Sequence, residues 1–137
     1  MTIRDAIVAA ARSYLGCRYQ HQGRVRAGID CAGLIIAVAR DVGLPAEDMA
    51  GYARVPDGVA LKAHLDRQAR PVAFASRQPG DILLLAFDRG LPQHLAIATD
   101  HGMIHAYAGA RKVVEHRIDD MWAARILGAY QYPGVDE

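Results

Sequence analysis

The sequence predicts an α+β fold for its 137 residues. Two observations carry that prediction. Segments with helical periodicity fall in the first half, and short β-type runs bounded by turn signals fall in the second. A third observation fixes the class: 52% hydrophobic and 23% charged residues is an ordinary globular balance, which excludes disorder, collagen and coiled coil. At this length one domain over residues 1–137 is expected, large enough to bury an apolar core without covalent staples.

The elements follow in order. Thr2 is placed to cap a first helix in which Ile3, Ile7, Ala10 or Ala11, and Tyr14 recur at helical spacing until Gly16. Residues 16–30 read as irregular, with three glycines, Arg18, Arg24, Arg26 and His21. A second helix starts at about Cys31 with Asp30 as N-cap and stops at Gly43-Leu44-Pro45. Its run from Cys31 to Ala39 is apolar nearly all round, so it belongs in the middle of the domain. A weaker helix is expected over residues 58–69. Asp81 to Phe87, after Gln78-Pro79-Gly80, reads as a buried strand. His94–Thr99 and Met103–Tyr107 flank Asp100-His101-Gly102 and form a hairpin. Val113-Val114 and Leu127–Tyr132 are further strands, with a helical turn near Ile118–Ala124. The sum is N-terminal helices packed on a mostly antiparallel sheet of about five strands.

Composition excludes several functions. Lys plus Arg is 16 and Asp plus Glu is 15, so no whole-surface attraction for nucleic acid or anionic membrane is expected. No stretch longer than ten residues lacks a charge, which rules out a helix inserted across a bilayer. Arg4 and Asp5 interrupt the N-terminal segment, so synthesis in the cytoplasm without a signal peptide is expected. Two cysteines exclude a disulfide framework and a Cys-rich zinc module.

Cys31 carries the chemistry. A thiol in the first turn of a buried helix meets the positive end of the helix dipole and unpaired N–H groups, which favour the thiolate and can face an oxyanion. Ala32 and Gly33 are expected to leave that helix tip open to a ligand. A buried, inert cysteine is the alternative. A nucleophilic thiol needs a base from the strand half. With an even-length loop near residue 100, His94, Ala96 and Ala98 share a face with Met103, His105 and Tyr107. His94 and His105 then stand within reach of a ring-to-ring hydrogen bond, a base and the group that orients it. Two half-buried strand histidines satisfied by backbone are the bland alternative. His94, His105, His101 and Cys31 include enough donors for zinc, but no tight ligand pair is present and His101 lies on the turn, so no metal is expected. His64 and His116 have charged neighbours and read as surface residues, and Cys17 as a packed or idle thiol.

Leu15-Gly-Cys-Arg-Tyr-Gln-His-Gln-Gly23, Gly28-Ile-Asp-Cys-Ala-Gly-Leu34, Gln78-Pro-Gly-Asp-Ile-Leu83, His94-Leu-Ala-Ile97 and Met103-Ile-His-Ala106 together resemble the NlpC-type papain-like cell-wall peptidases. The resemblance runs over roughly residues 13 to 107 and implies a papain-like fold with Cys31 as nucleophile, His94 as base and His105 as the residue orienting it. It also implies that Tyr19 helps the oxyanion hole and that Asp30 holds the free amino end of a peptidoglycan stem peptide. No cofactor is implied. The implied reaction is hydrolysis of the amide between D-glutamate and a diamino acid. Ala32 stands where the family has serine, and Ala96 where it usually has glycine. The His21-Gln22-Gly23-Arg24 run resembles the branch carried by tailed phages and gene transfer agents. That branch implies tail-tip proteins as partners, a place on a virion-like particle and action on the cell wall in the periplasm. A structural tail-tip module with little hydrolytic activity, and a thiol amidase or acyltransferase, are the rival readings. Arg18, Arg24 and Arg26 lead to Cys31, either as binders of substrate carboxylates or as a solvated or docking face.

Overall fold

The computed structural model describes residues 1–54, 56–87 and 90–135. The first helix, α1, spans Ile3–Arg12, and its start is a full capping box: Thr2 Oγ1 accepts from the Asp5 N–H while the Asp5 carboxylate accepts from the Thr2 N–H. Two short strands, β1 (Arg24–Val25) and β2 (Gly28–Ile29), make a small ribbon within the segment expected to be irregular. Helix α2 spans Cys31–Val42, capped by the Asp30 side chain and closed by Gly43 at φ 77°, a left-handed position that glycine occupies without strain. Residues 32 to 39 are buried without a break, as the all-round apolar run requires. Helix α3 is Ala60–Gln68.

The strands β3 (Arg70–Val72), β4 (Ile82–Ala86), β5 (Pro92–Ala98), β6 (Met103–Tyr107), β7 (Lys112–His116) and β8 (Ile126–Gln131) form one antiparallel sheet in the order β3-β8-β4-β5-β6-β7. Among the described residues six strands in this sheet replace the expected five or so. The addition is β3, a short edge strand containing Pro71, whose composition carries no strand signal. A short helix, α4 (Asp120–Ala123), lies between β7 and β8. Among the described residues no helix is long and apolar enough to cross a membrane.

Both faces of the sheet are covered, which is why β4 is buried along its whole length instead of alternating. Ile82, Leu84, Leu95, Ile97 and Ile104 pack with α1 and α2, while Leu83, Leu85, Ala96, Met103 and Trp122 form a second cluster on the other face. An ion pair ties α1 to the start of β4: Arg4 Nη1 lies 2.8 Å from Asp81 Oδ1, with the two residues 8% and 1% exposed. Asp81 also accepts from the Gln78 N–H at 2.8 Å. Arg4→Met leaves that carboxylate buried without its cation, and urea unfolding should show a loss of about 3–5 kcal/mol. An unchanged midpoint would mean that Asp81 is already satisfied by its loop.

Candidate active site

Two features of the fold bring the predicted residues together. The β5–β6 hairpin turns through the four residues 99–102, and Ala98 faces Met103 across it. That register puts His94 and His105 on one face and on the diagonal. His94 Nε2 lies 2.7 Å from His105 Nδ1. The two strands pair only at Ile97↔Ile104 and Ala98↔Met103, although β5 begins at Pro92 and β6 continues to Tyr107. They part toward His94, and the N-terminus of α2 reaches β5 there. The backbone of Leu95, the neighbour of His94, is close enough to Cys31 to favour its thiolate.

Cys31, His94, Asp30 and Tyr19 line one cavity, together with Tyr52 and Arg54. His105 lies behind His94, fully buried. A second cavity, between α2 and α3, has almost wholly apolar walls that include Ile35, Ile36, Leu65 and Tyr132, and holds no nucleophile. Among the described residues no group of His, Cys, Asp and Glu is arranged to hold a metal ion.

Asp30 is the keystone of the cavity floor. It is 2% exposed and its two oxygens serve four donors. Oδ1 takes the Gly33 N–H at 2.8 Å and Arg24 Nη1 at 3.0 Å, while Oδ2 takes the Gln22 N–H at 2.7 Å and the Tyr52 hydroxyl. One carboxylate thus caps α2, fixes the loop before it and orients the Tyr52 ring. The arginines expected on the approach to Cys31 are accounted for differently. Arg24 spans Asp30, Asp48 and the Met49 carbonyl, and Arg26 bonds the Ser13 carbonyl and lies over the Tyr14 ring. Both hold the fold, and among the described residues the cation that lines the cavity is Arg54, which the sequence pattern did not single out.

The helix tip is also less open than its small residues suggest. A Cβ at Gly33 would meet the Gly23 carbonyl oxygen at 2.1 Å, so the glycine admits the chain's own loop. Ala32 is buried and faces the apolar cavity. Space for a ligand lies on the Tyr19, Tyr52 and Arg54 side instead.

The electrostatics describe a neutral resting pair. Desolvation, helped by the Asp30 charge, pushes the Cys31 thiol up to about 12, against the opposite pull of the Leu95 and Ala32 amides. Desolvation pulls His94 down to about 3, and the nearby Arg125 cation adds to it. His105 falls to about 2 for the same first reason, with His94 and His116 adding to it. Tyr19 is raised by burial and by the Cys31 and Asp30 charges, so its hydroxyl keeps a proton to donate. Burial thus opposes the thiolate that the helix start is expected to favour.

His116 is the residue that sequence reasoning misplaced. Instead of a surface histidine it is the third ring of a chain, with Nε2 2.8 Å from His105 Nε2 and Nδ1 2.8 Å from the Arg117 carbonyl oxygen. Its charged neighbours Glu115 and Arg117 pointed outward, yet β7 pairs with β6 in the register Met103↔His116, which brings the His116 ring to His105. Trp122, Tyr107 and Phe87 wall the three rings: Tyr107 stacks on His105 at 5.1 Å, and Trp122 lies 5.1 Å from His105 and 5.0 Å from His116. Cys17 is a free, partly buried thiol packed against the main core cluster, and Cys31 is also free.

Comparison with known proteins follows the same lines. The NlpC/P60 family matches residues 16–131. A probable endopeptidase of Mycobacterium tuberculosis is 30% identical over 104 residues, which cover 75% of this chain and 23% of that protein. The chain therefore spans about a quarter of the length of the curated relatives it matches. The crystal structure of the NlpC/p60 domain of the peptidoglycan hydrolase SagA is 27% identical, with a TM-score of 0.65 over 93% of this chain and 97% of that one. The peptidoglycan hydrolase RipB from Mycobacterium tuberculosis shares the fold at 20% identity, with a TM-score of 0.66 over 98% of this chain and 66% of that one.

Proposed function

The chain belongs to the NlpC/P60 family, and on that premise we propose that it is a thiol peptidase that hydrolyses an amide bond in peptidoglycan stem peptides. The observation that carries this reading is the single cavity shared by Cys31 and His94, with His94 held from behind by His105. Cys31 Sγ attacks the carbonyl carbon while His94 takes the thiol proton, so a neutral pair becomes a tetrahedral oxyanion and an imidazolium in one step. The N–H of Cys31 and the Tyr19 hydroxyl face the oxyanion. Collapse breaks the C–N bond, His94 returns the proton to the leaving amine, and water activated by the same ring releases the acyl group.

The substrate reading is narrower. The D-glutamyl–diamino acid bond is the one proposed, with the negative charge of Asp30 under the cavity floor attracting and so holding the free amino end of the stem peptide. The His21-Gln22-Gly23-Arg24 run supports carriage by a phage-tail-like particle, with tail-tip proteins as partners and the periplasmic wall as the place of action. We propose that residues 1–137 form the one domain that does this work. Purified peptidoglycan incubated with the chain should yield soluble muropeptides whose masses place the cut between D-glutamate and the diamino acid. Peptidoglycan left intact overturns the peptidase reading, and products cut elsewhere overturn the bond.

A further inference from the structure

The chain of three histidines admits two hydrogen-bond directions, and the atom at its outer end chooses between them. A neutral imidazole donates from one ring nitrogen and accepts at the other. His94 and His105 alone pair equally well either way. His116 Nδ1, however, lies 2.8 Å from the Arg117 carbonyl oxygen, which only accepts. A neutral His116 therefore carries its proton on Nδ1 and accepts at Nε2. His105, 2.8 Å away, must donate from Nε2 and accept at Nδ1. His94, 2.7 Å further along, then donates from Nε2, and its Nδ1 is the nitrogen without a proton. Run in the opposite direction, the chain sets a His116 lone pair against a carbonyl lone pair. It also puts a proton on His94 Nδ1, where none can be received from a thiol.

We propose that His116, anchored on the Arg117 carbonyl, is a positioning residue that fixes the tautomers of His105 and His94 and so makes His94 Nδ1 the proton acceptor of the cavity. The proposal rests on the reading of Cys31 and His94 as nucleophile and base. His116 touches no substrate in that reading: it lines a separate groove with Ile118, Asp119 and Trp122, outside the Cys31 cavity. Its backbone is held where the role needs it. Met103 pairs with it across β6–β7, and the Gly102 turn is so close that a Cβ there would meet the His116 carbonyl oxygen at 2.2 Å. Trp122 packs against the ring and restricts its rotation. Outer partners that set the protonated nitrogen of a functional histidine act in this way in other sites.

Imidazole nitrogen NMR of the native chain at neutral pH tests the assignment without any substrate. His94 and His105 should carry their protons on Nε2 and His116 on Nδ1. His116→Phe keeps a ring beside Trp122 but removes the acceptor. The His94 and His105 signals should then move to mixed tautomers, and kcat/KM on peptidoglycan fragments should fall at least about 10-fold, through kcat and not KM. His116→Gln can accept from His105 and donate to the Arg117 carbonyl, and should restore both the Nε2–H pattern and most of the activity. Amide spectra of each variant check that the fold is kept. Native tautomers other than these overturn the proposal, as do unchanged tautomers in His116→Phe or full activity with scrambled ones. Correct native tautomers in a chain that cuts no peptidoglycan would instead overturn the peptidase reading and leave the tautomer assignment standing.

Discussion

Cys31→Ala should lower muropeptide release by a factor on the order of 10⁴ or more, while Cys17→Ala leaves it unchanged. The two thiols differ in surroundings, not in kind. Cys17 is packed against the core cluster and is absent from the walls of the cavity, so its loss removes only local packing. Cys31 shares the cavity with His94, the histidine that His105 holds from behind. Without its sulfur no acyl-enzyme forms, and His94 is left to activate water from a position set for a thiol. Cys31→Ala keeps the helix start, because the cap at Asp30 uses the backbone of Gly33 and not the thiol. Loss of activity with unchanged thermal unfolding would therefore isolate the chemical step. Equal muropeptide release by native chain and Cys31→Ala, read by chromatography, would remove Cys31 from the mechanism.

How far the sequence reached depended on whether a signal was local. Thr2, Asp30 and Gly43 announce helix ends through chemistry confined to a few neighbours, and the start of α1 and both ends of α2 stand where those residues put them, while α1 closes at Arg12, short of the expected Gly16. The β5–β6 hairpin was legible only on a condition: an even loop length puts His94 and His105 on one face, and the four-residue turn meets it. What escaped was set by pairings distant in sequence. Pro71 lies in an edge strand only because β8 pairs with it, and nothing near Arg70–Val72 encodes that. The arginine loop stayed open between a substrate clamp and a solvated face because its acceptors, Asp48 and the carbonyls of Met49 and Ser13, are remote or uncharged in the sequence. His116 escaped for a related reason. Its charged neighbours suggested solvent, but alternation along β7 lets Glu115 reach Arg12 while His116 reaches His105.

The chain should lose stability steadily as the pH falls below 6.5, before its carboxylates begin to titrate. His94 and His105 are 4% and 0% exposed, and burial lowers them from 6.5 to about 3 and about 2. The unfolded chain takes up protons on these rings near pH 6.5, and the folded chain does not. Stability is thus fully present above 6.5 and is lost as the pH drops toward the folded values, at about 1.4 kcal/mol per pH unit for each ring. Between pH 6.5 and about 4.5 most carboxylates stay ionised, so the slope in that window belongs to these rings. Urea midpoints at pH 7, 6 and 5 measure it. His105→Gln removes one of the two and should roughly halve the slope; a native chain with half the stated slope would mean that one ring is charged in the fold, and no slope would mean that both are. The same neutrality has a chemical consequence: a His94 that resists protonation keeps its Nδ1 open to the Cys31 proton. On peptidoglycan fragments, kcat/KM should therefore hold level through pH 6.5, where an ordinary histidine base would be half lost, and fall only where the fold itself begins to give way.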